Sequence, residues 1–313
     1  MSLNLLKLQI VELIEKHRRI TAVADQLGLK QPTVTYHMKT LEQEMGVRLF
    51  EPRMDKIILT EAGKALLHYA VKINSLSSEA QRIVGEFGRM SRGSLRIGAS
   101  YVPATYLLPR VLREFAAQYP GVTVSLSVKP SPIITNMLLN HEVDLGIIST
   151  EVFRQPPIEL RTICEDELVL VCAPGHHLAS YSELSPALIS TANLILHGKE
   201  SSTRQMTDRW MELWGIRVQG FLELDSLEAI KQAVMQGGHA SFVSRLAVQS
   251  EVERGLLVVK DIPDFEYVRN VCYAYNKDRH YSQLLEQFIG FLHADRSSTA
   301  PVSGVNKEML GSI

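Results

Sequence analysis

ITAVADQLGLKQPTVTYHMK, residues 20–39, is the stretch on which the reading of the whole chain turns. Two short apolar-periodic segments flank Gly28. One spans about Thr21–Leu27; the other starts near Pro32, a residue tolerated in a first helical turn, and runs to about Met45 before Gly46. Ala24 is small where the two helices would cross, Gly28 supplies the turn, and Leu27, Leu29 and Val34 form a small core. This register predicts a helix-turn-helix whose second helix shows Thr33, Thr35, Tyr36 and Lys39 to the outside, with Gln31 and Pro32 at its start. Gln can bond adenine through two atoms, Thr can bond a base edge or touch a thymine methyl, and Lys can reach guanine. Lys30, Arg48, Arg53 and Lys56 suit phosphates, which hold register without reading sequence.

Outward from this stretch, residues 3–16 predict a helix with Leu6, Ile10, Leu13 and Ile14 on one face. Leu49–Thr60 predicts a two-stranded wing turning around Met54-Asp55, so residues 1–60 form a winged helix-turn-helix head. Residues 61–88 carry an unbroken helical pattern. Ala62, Leu66, Tyr69, Ile73, Leu76, Ala80, Ile83 and Phe87 alternate spacings of four and three, a heptad stripe that demands a partner helix. At about 1.5 Å per residue that helix is roughly 40 Å long. No other helix of the chain looks long enough to cover it, so Leu66, Tyr69, Ile73, Leu76 and Ile83 are expected to pair with a second copy. Gly85, Gly88 and Ser91–Ser94 end the helix and predict a hinge, making 61–93 a dimerisation linker.

After residue 94 short apolar strands alternate with amphipathic helices, which predicts parallel α/β units. An internal repeat is visible. Leu95–Gly98, a helix over Ala104–Gln118 and Val122–Val128 match Leu194–His197, Thr203–Trp214 and Gly220–Leu224. Ser131–Ser149 and Ser226–Ser244 are both 19 residues long, begin with Ser, continue as a helix and end in an apolar strand closed by Ser. Residues 94–295 therefore read as two similar lobes. Lobe I takes about 94–164 and 268–295, and lobe II about 174–264. Strands near Glu167–Ala173 and Arg269–Asn276 make the two crossings, and a helix at Tyr281–His293 follows the second. Residues 296–313 have the composition of a disordered tail.

Composition agrees with a soluble multidomain protein: 313 residues, 45% apolar and 21% charged. The net charge of −1 hides an asymmetry, since residues 1–93 hold 14 Lys and Arg against 10 Asp and Glu, while the remainder is acidic. A basic front suits a partner rich in phosphate. Lys7, Glu12 and Glu15 interrupt the first apolar segment, which argues against a signal peptide, and no apolar run approaches a membrane span. Cys164, Cys172 and Cys272 form no CxxC and read as reduced thiols in a cytoplasmic protein.

Thr21-Ala22-Val23-Ala24, Leu27, Gln31-Pro32-Thr33-Val34-Thr35, Leu41-Glu42, Gly46, Leu49-Phe50 and Leu59-Thr60-Glu61-Ala62-Gly63 together resemble, in order and spacing, the signature of the LysR-type transcriptional regulators. The helix-and-two-lobe architecture behind them is similar too, so the resemblance spans about residues 1–295. It implies an all-α winged head, a linker helix and an α/β two-lobed, periplasmic-binding-protein-like domain. It also implies a homodimer or homotetramer that binds and bends partly palindromic double-stranded operators, with RNA polymerase as a further partner. The chain departs from the family pattern at Lys30, which replaces a Ser, at Pro52, which replaces an Arg of the wing, and at His37 and Glu200.

In two-lobed α/β domains ligands sit beyond the carboxyl ends of strands, where helices begin. Ser100, Tyr101 and Thr105 follow the first strand, Lys129 and Ser131 the next, and Ser149 and Thr150 the third. In lobe II, His197, Ser201, Ser202 and Thr203 lie between a strand and a helix. Hydroxyls and free N–H groups at helix starts suit a carboxylate or phosphate, with Lys129, His197 and Lys199 adding positive charge and Glu200 opposing it. The resemblance places a small-molecule effector here and favours Ser100, Ser131 and the Ser201–Thr203 loop. No catalytic motif, metal set or cofactor fingerprint is present: GxSxG, a P-loop and HExxH are missing, and His176-His177 reads as surface loop. A solute-binding protein or an α/β enzyme would explain the lobes but leave the first 90 residues without a purpose.

Overall fold

The first helix of the chain, α1 (Leu5–His17), starts where Asn4 caps it by accepting a bond from the Lys7 amide at 2.9 Å. The computed structural model describes residues 3–54, 56–87, 93–218 and 221–294. Helix α2 (Ile20–Leu27) ends at Gly28, and α3 (Gln31–Met45) starts with Pro32 in its first turn and ends at Gly46. Strands β1 (Phe50–Arg53) and β2 (Lys56–Leu59) pair antiparallel as the wing. Leu8, Ile10, Val11 and Ile14 meet Val23, Ala24, Val34, Met38 and Leu41 in one core, closed by Leu49, Phe50 and Leu59. One Glu42 carboxylate oxygen accepts from the amides of Leu49 and Phe50, at 2.8 and 3.0 Å, which fixes the wing to the end of α3.

Helix α4 (Glu61–Phe87) begins at a tight junction. The Thr60 hydroxyl accepts from the Gly63 amide and donates to the Arg48 carbonyl, while the Thr60 amide donates to the Leu49 carbonyl. Gly63 is a glycine because a Cβ there would stand 2.2 Å from that same Leu49 oxygen. Contrary to the sequence expectation, a helix of the same chain covers part of α4. Helix α1 packs along it, with Ala70 fully buried, Leu66 and Leu67 half-buried against the head core, and Asn74 donating to Glu12 at 2.9 Å. Leu66 thus turns at least in part toward the head of its own chain. Tyr69, Ile73, Leu76 and Val84 remain exposed and Ile83 half-exposed. Of the expected hinge at Gly85, Gly88 and Ser91–Ser94, Gly85 lies within α4 and Ser94 opens the next strand, while residues 88–92 lie outside the described residues, as does the tail at 296–313.

A second compact unit is built mainly from Leu95 onward. Its elements run β3 (Ser94–Ala99), α5 (Tyr101–Tyr106), α6 (Leu108–Gln118), β4 (Thr123–Val128), α7 (Ser131–Leu139), β5 (Leu145–Thr150) and β6 (Ile158–Glu165), then β7 (Leu168–Cys172), α8 (Pro186–Ile189), β8 (Leu194–His197), α9 (Ser202–Leu213), β9 (Leu222–Leu224), α10 (Leu227–Met235), β10 (Ala240–Ser244), α11 (Gln249–Glu253), β11 (Val258–Lys260), β12 (Asn270–Asn276) and α12 (Gln283–Ala294). Two five-stranded sheets result, β4-β3-β5-β12-β6 in lobe I and β11-β7-β10-β8-β9 in lobe II. The expected parallel order holds for β3 with β5 and for β8 with β9 and β10. Strands β12 and β7 run antiparallel to their neighbours because each enters its sheet from the other lobe. Strand β7 is an inner strand of the second sheet, so lobe II starts before residue 174. The single helix expected over 104–118 is two, broken at Leu107.

The two crossings between lobes are tied together by Asp166 and Arg269, both buried, with nitrogen and oxygen 3.0 Å apart. The Asp166 amide also donates to the Arg269 carbonyl at 2.9 Å, and the Ser244 hydroxyl engages the other Asp166 oxygen.

Because the added methyl would meet backbone rather than a yielding side chain, Gly63→Ala is expected to destabilise the head by about 1–3 kcal/mol. Chemical denaturation of the full chain measures this; an unchanged midpoint would contradict the account of the junction.

Candidate nucleic-acid interface and effector cleft

Helix α3 has two unlike faces. Val34, Met38 and Leu41 are buried, whereas Gln31, Pro32, Tyr36 and Lys39 are exposed and Thr33 and Thr35 half-exposed. Tyr36 is 65% exposed, a large aromatic that the head's own core does not use. Lys30, at the start of α3, is exposed, with its ammonium open to an outside anion. Arg48, Arg53 and Lys56 are exposed, and Arg53 and Lys56 are partners across the wing hairpin. The sequence-predicted DNA-facing residues therefore lie on the recognition helix and the wing of one head.

The second site is a cleft of about 470 Å³ between the two lobes. Ser100, Tyr101, Lys129, Ser131, His197, Ser201, Ser202 and Thr203 all line it. Thr105 and Thr150 do not. Thr105 is exposed in the last turn of α5, one helical turn past the cleft, and Thr150 pairs with Asn270 inside the lobe I sheet. Ser149, which the sequence named together with Thr150, lines it as well, and Asp225 and Arg269 are lining residues that the sequence did not single out.

Hydroxyls converge on Ser149. Its amide donates to the Ser100 hydroxyl at 2.9 Å, and its carbonyl accepts from Ser131 at 2.9 Å and from Ser202 of the opposite lobe at 3.1 Å. The Ser149 hydroxyl itself is buried and has no protein partner among the described residues. A buried hydroxyl without a partner costs stability unless something else meets it. The Arg269 guanidinium donates to the Thr203 hydroxyl at 2.7 Å, so the ion pair at the crossings also steadies the start of α9.

His197 does not add the positive charge expected of it. Burial, and more weakly the Arg269 and Arg204 guanidinium groups, push the imidazole down to about 4 against the pull of its bond to the Phe242 carbonyl. A carbonyl only accepts, so Nε2 donates at 2.9 Å and Nδ1 is left as the unprotonated nitrogen. A Cβ on Gly198 would stand 2.0 Å from the Asp225 carboxylate, which would have to swing away to admit it. The cleft thus combines Lys129 and Lys199 with Glu200 and Asp225.

Two contacts bridge the lobes away from the cleft floor. Arg209 of α9 pairs with Glu151 and lies over the Tyr267 ring at 4.5 Å. Lys231 of α10 is held by Glu251 at 2.7 Å and reaches the Tyr106 hydroxyl at 3.0 Å. Among the described residues no cluster of three or more His, Cys, Asp or Glu is placed to hold a metal ion, and no helix is long and apolar enough to cross a membrane.

A basic winged head followed by two α/β lobes around a polar cleft defines an effector-binding transcriptional regulator. A family model described as a bacterial regulatory helix-turn-helix protein of the lysR family matches residues 5–64, and one described as the LysR substrate binding domain matches residues 88–297. The chain belongs to the LysR family of DNA-binding transcriptional regulators. A probable RuBisCO transcriptional regulator from Synechocystis sp. is 34% identical over 288 residues, covering 90% of this chain and 84% of that one. Full-length CbnR complexed with its target DNA shares the fold, with a TM-score of 0.65 at 21% identity over 93% of this chain and 99% of that one. The regulatory domain of Synechocystis PCC6803 CcmR in complex with 2-PG gives 0.59 at 30% identity over 66% of this chain and 99% of that one.

The depressed His197 value fixes a pH dependence. Unfolded, the ring binds a proton below about 6.5; folded, it does so only near 4, so stability falls as pH drops through that window. His197→Gln removes this proton uptake. Between pH 7 and 5 the variant should lose about 2 kcal/mol less stability than the wild-type chain, read from denaturation curves. Equal losses would show that His197 is not held neutral.

Proposed function

We propose that the chain works as a homodimer or homotetramer that reads an operator through α3, holds the backbone with Lys30, Arg48, Arg53 and Lys56, and takes a small anionic effector in the cleft. The division of α3 into a buried Val34–Met38–Leu41 face and an exposed Gln31–Tyr36–Lys39 face carries the reading. Two copies pair through Tyr69, Ile73 and Leu76, which the chain itself leaves exposed. Effector binding shifts the population of lobe angles, and through the paired subunits the spacing of the two heads and the bend of the operator. RNA polymerase is the partner that reads this change, in the cytoplasm.

The anionic class is supported by the Ser149 hydroxyl, by Lys129, and by the start of α9, whose first amides have no side-chain cap and lie along the same space. The 2-PG named with the CcmR domain is the first compound to test. Calorimetry should show Ser149→Ala binding it about tenfold more weakly, one lost hydrogen bond to a charged group. Equal affinity would remove Ser149 from the site.

For the DNA half, the probes are duplexes from upstream of the chain's own gene and of a RuBisCO operon. Tyr36→Ala should lower affinity for the preferred duplex and leave random DNA nearly unchanged. Lys56→Ala should lower both alike. A gel shift in which the two variants lose equally on both duplexes would break the assignment of roles.

A further inference from the structure

The turn between α1 and α2 holds two residues that its backbone would not select. Arg18 is left-handed, with φ 55 and ψ 18, a conformation that glycine adopts freely and that strains a residue with a Cβ. Arg19 stands at the N-cap of α2 and makes no capping bond, where Ser, Thr, Asp or Asn would satisfy an amide of the first turn. Elsewhere in the head Asn4 caps α1, and Gly28 and Gly46 end α2 and α3; Lys30 at the N-cap of α3 and Met54 in the wing turn depart from local preference singly, whereas Arg18 and Arg19 do so side by side. Two adjacent positions that forgo stability point to a use for what stands there.

The arginines are exposed, as is Lys16 one turn earlier. Arg18 has a loose pairing with Glu15 at 3.8 Å, with both side chains about half in water, too weak to explain the strain. The turn is also fixed in place. The Arg18 carbonyl accepts from the Ile57 amide of β2 at 2.9 Å, directly after Lys56 in the wing. Lys16, Arg18 and Arg19 thereby extend the basic edge begun by Arg53 and Lys56. In helix-turn-helix docking the first helix of the pair crosses the sugar–phosphate backbone, and Arg19 lies at the start of that helix.

We propose that Arg18 and Arg19 are additional phosphate contacts on duplex DNA, gripping the backbone beside the groove that α3 reads, with the strained turn and the open cap as the cost of placing them. This extends the DNA-reading function above and rests on it. The contact is to backbone, so it adds affinity without sequence preference.

The test uses the full chain and fluorescence anisotropy, with the upstream duplex and a random one over about 0.05–0.2 M salt. Arg19→Ser and Arg18→Gly each restore a locally preferred residue, so neither should lower the thermal midpoint. Each should weaken both duplexes roughly three- to tenfold and reduce the slope of log affinity against log salt by about one. Arg19→Lys should keep the slope. Unchanged affinity and slope in both variants would overturn the proposal. So would a weakening with an unchanged slope that Arg19→Lys fails to rescue, since that marks a structural role. If the wild-type chain bound neither duplex, the DNA reading itself would fall, and the two failures are distinguishable.

Discussion

The effector half of the molecule depends on one buried ion pair. Asp166 and Arg269 sit at the two points where the chain passes between lobes, and neither has water to solvate it. Taking two charges out of water costs several kcal/mol each, which only close mutual contact and further hydrogen bonds offset. Such bonds come from the Ser244 hydroxyl on Asp166, the Thr203 hydroxyl on Arg269, and backbone bonding between the crossings, while the facing Asp166 Oδ2 and Arg269 Nη2 hold each other by charge. Ser244 closes β10 and Thr203 opens α9, so the pair holds in register the strand end and the helix start that shape the lobe II wall. The same guanidinium helps keep His197 neutral. A change at either partner would act on the lobe crossings and on the cleft together.

The head is governed by a comparable economy. Glu42 clamps the wing to α3, and the Thr60–Gly63 junction seats α4 against the Leu49 carbonyl. Wing, recognition helix and linker helix are therefore fixed to one another by side-chain and backbone hydrogen bonds to main-chain groups. Side chains on the outer face of α3 are then free of structural duty, which is what permits an exposed tyrosine there.

What the sequence made legible follows from what is periodic or local. The head and α4 announce themselves through 3.6-residue spacing, and the 19-residue repeat displayed the kinship of the two lobes. The same spacing misled at Leu66, because a heptad stripe does not reveal which neighbour covers it, and α1 lies alongside. Strand β6 escaped notice because it is an edge strand whose residues alternate poorly between buried and exposed. Asp166 and Arg269 act across 103 positions of chain, beyond any local pattern. The charge of His197 was misjudged for a related reason, since desolvation is a property of the folded site. Ser149 was legible, since it closes one copy of the repeat as Ser244 closes the other. In lobe II that serine has Asp166 to bond; in lobe I its hydroxyl has no protein partner among the described residues.

That asymmetry bears on how occupancy of the cleft can move the lobes. The contacts bridging them are modest: Arg209 with Glu151 is a half-exposed pair, Lys231 offers Tyr106 one hydrogen bond while its charge stays with Glu251, and Ser202 gives one hydroxyl to the Ser149 carbonyl. Exposed pairs contribute about 0–1 kcal/mol, a neutral hydrogen bond about 1 and one from a charged donor about 1.5–3. Their sum is a few kcal/mol, whereas removing one partner of the buried pair would strand a charge and cost about 3–5 kcal/mol. On the function proposed above, the rim contacts are the ones a change of lobe angle exchanges. A ligand that meets the Ser149 hydroxyl from one lobe and the start of α9 from the other needs only a few kcal/mol of differential affinity to choose between the angles. On the function proposed above, the buried tie at Asp166–Arg269 and the weaker rim contacts are two parts of one device, with the Ser149 hydroxyl as its proposed point of effector contact.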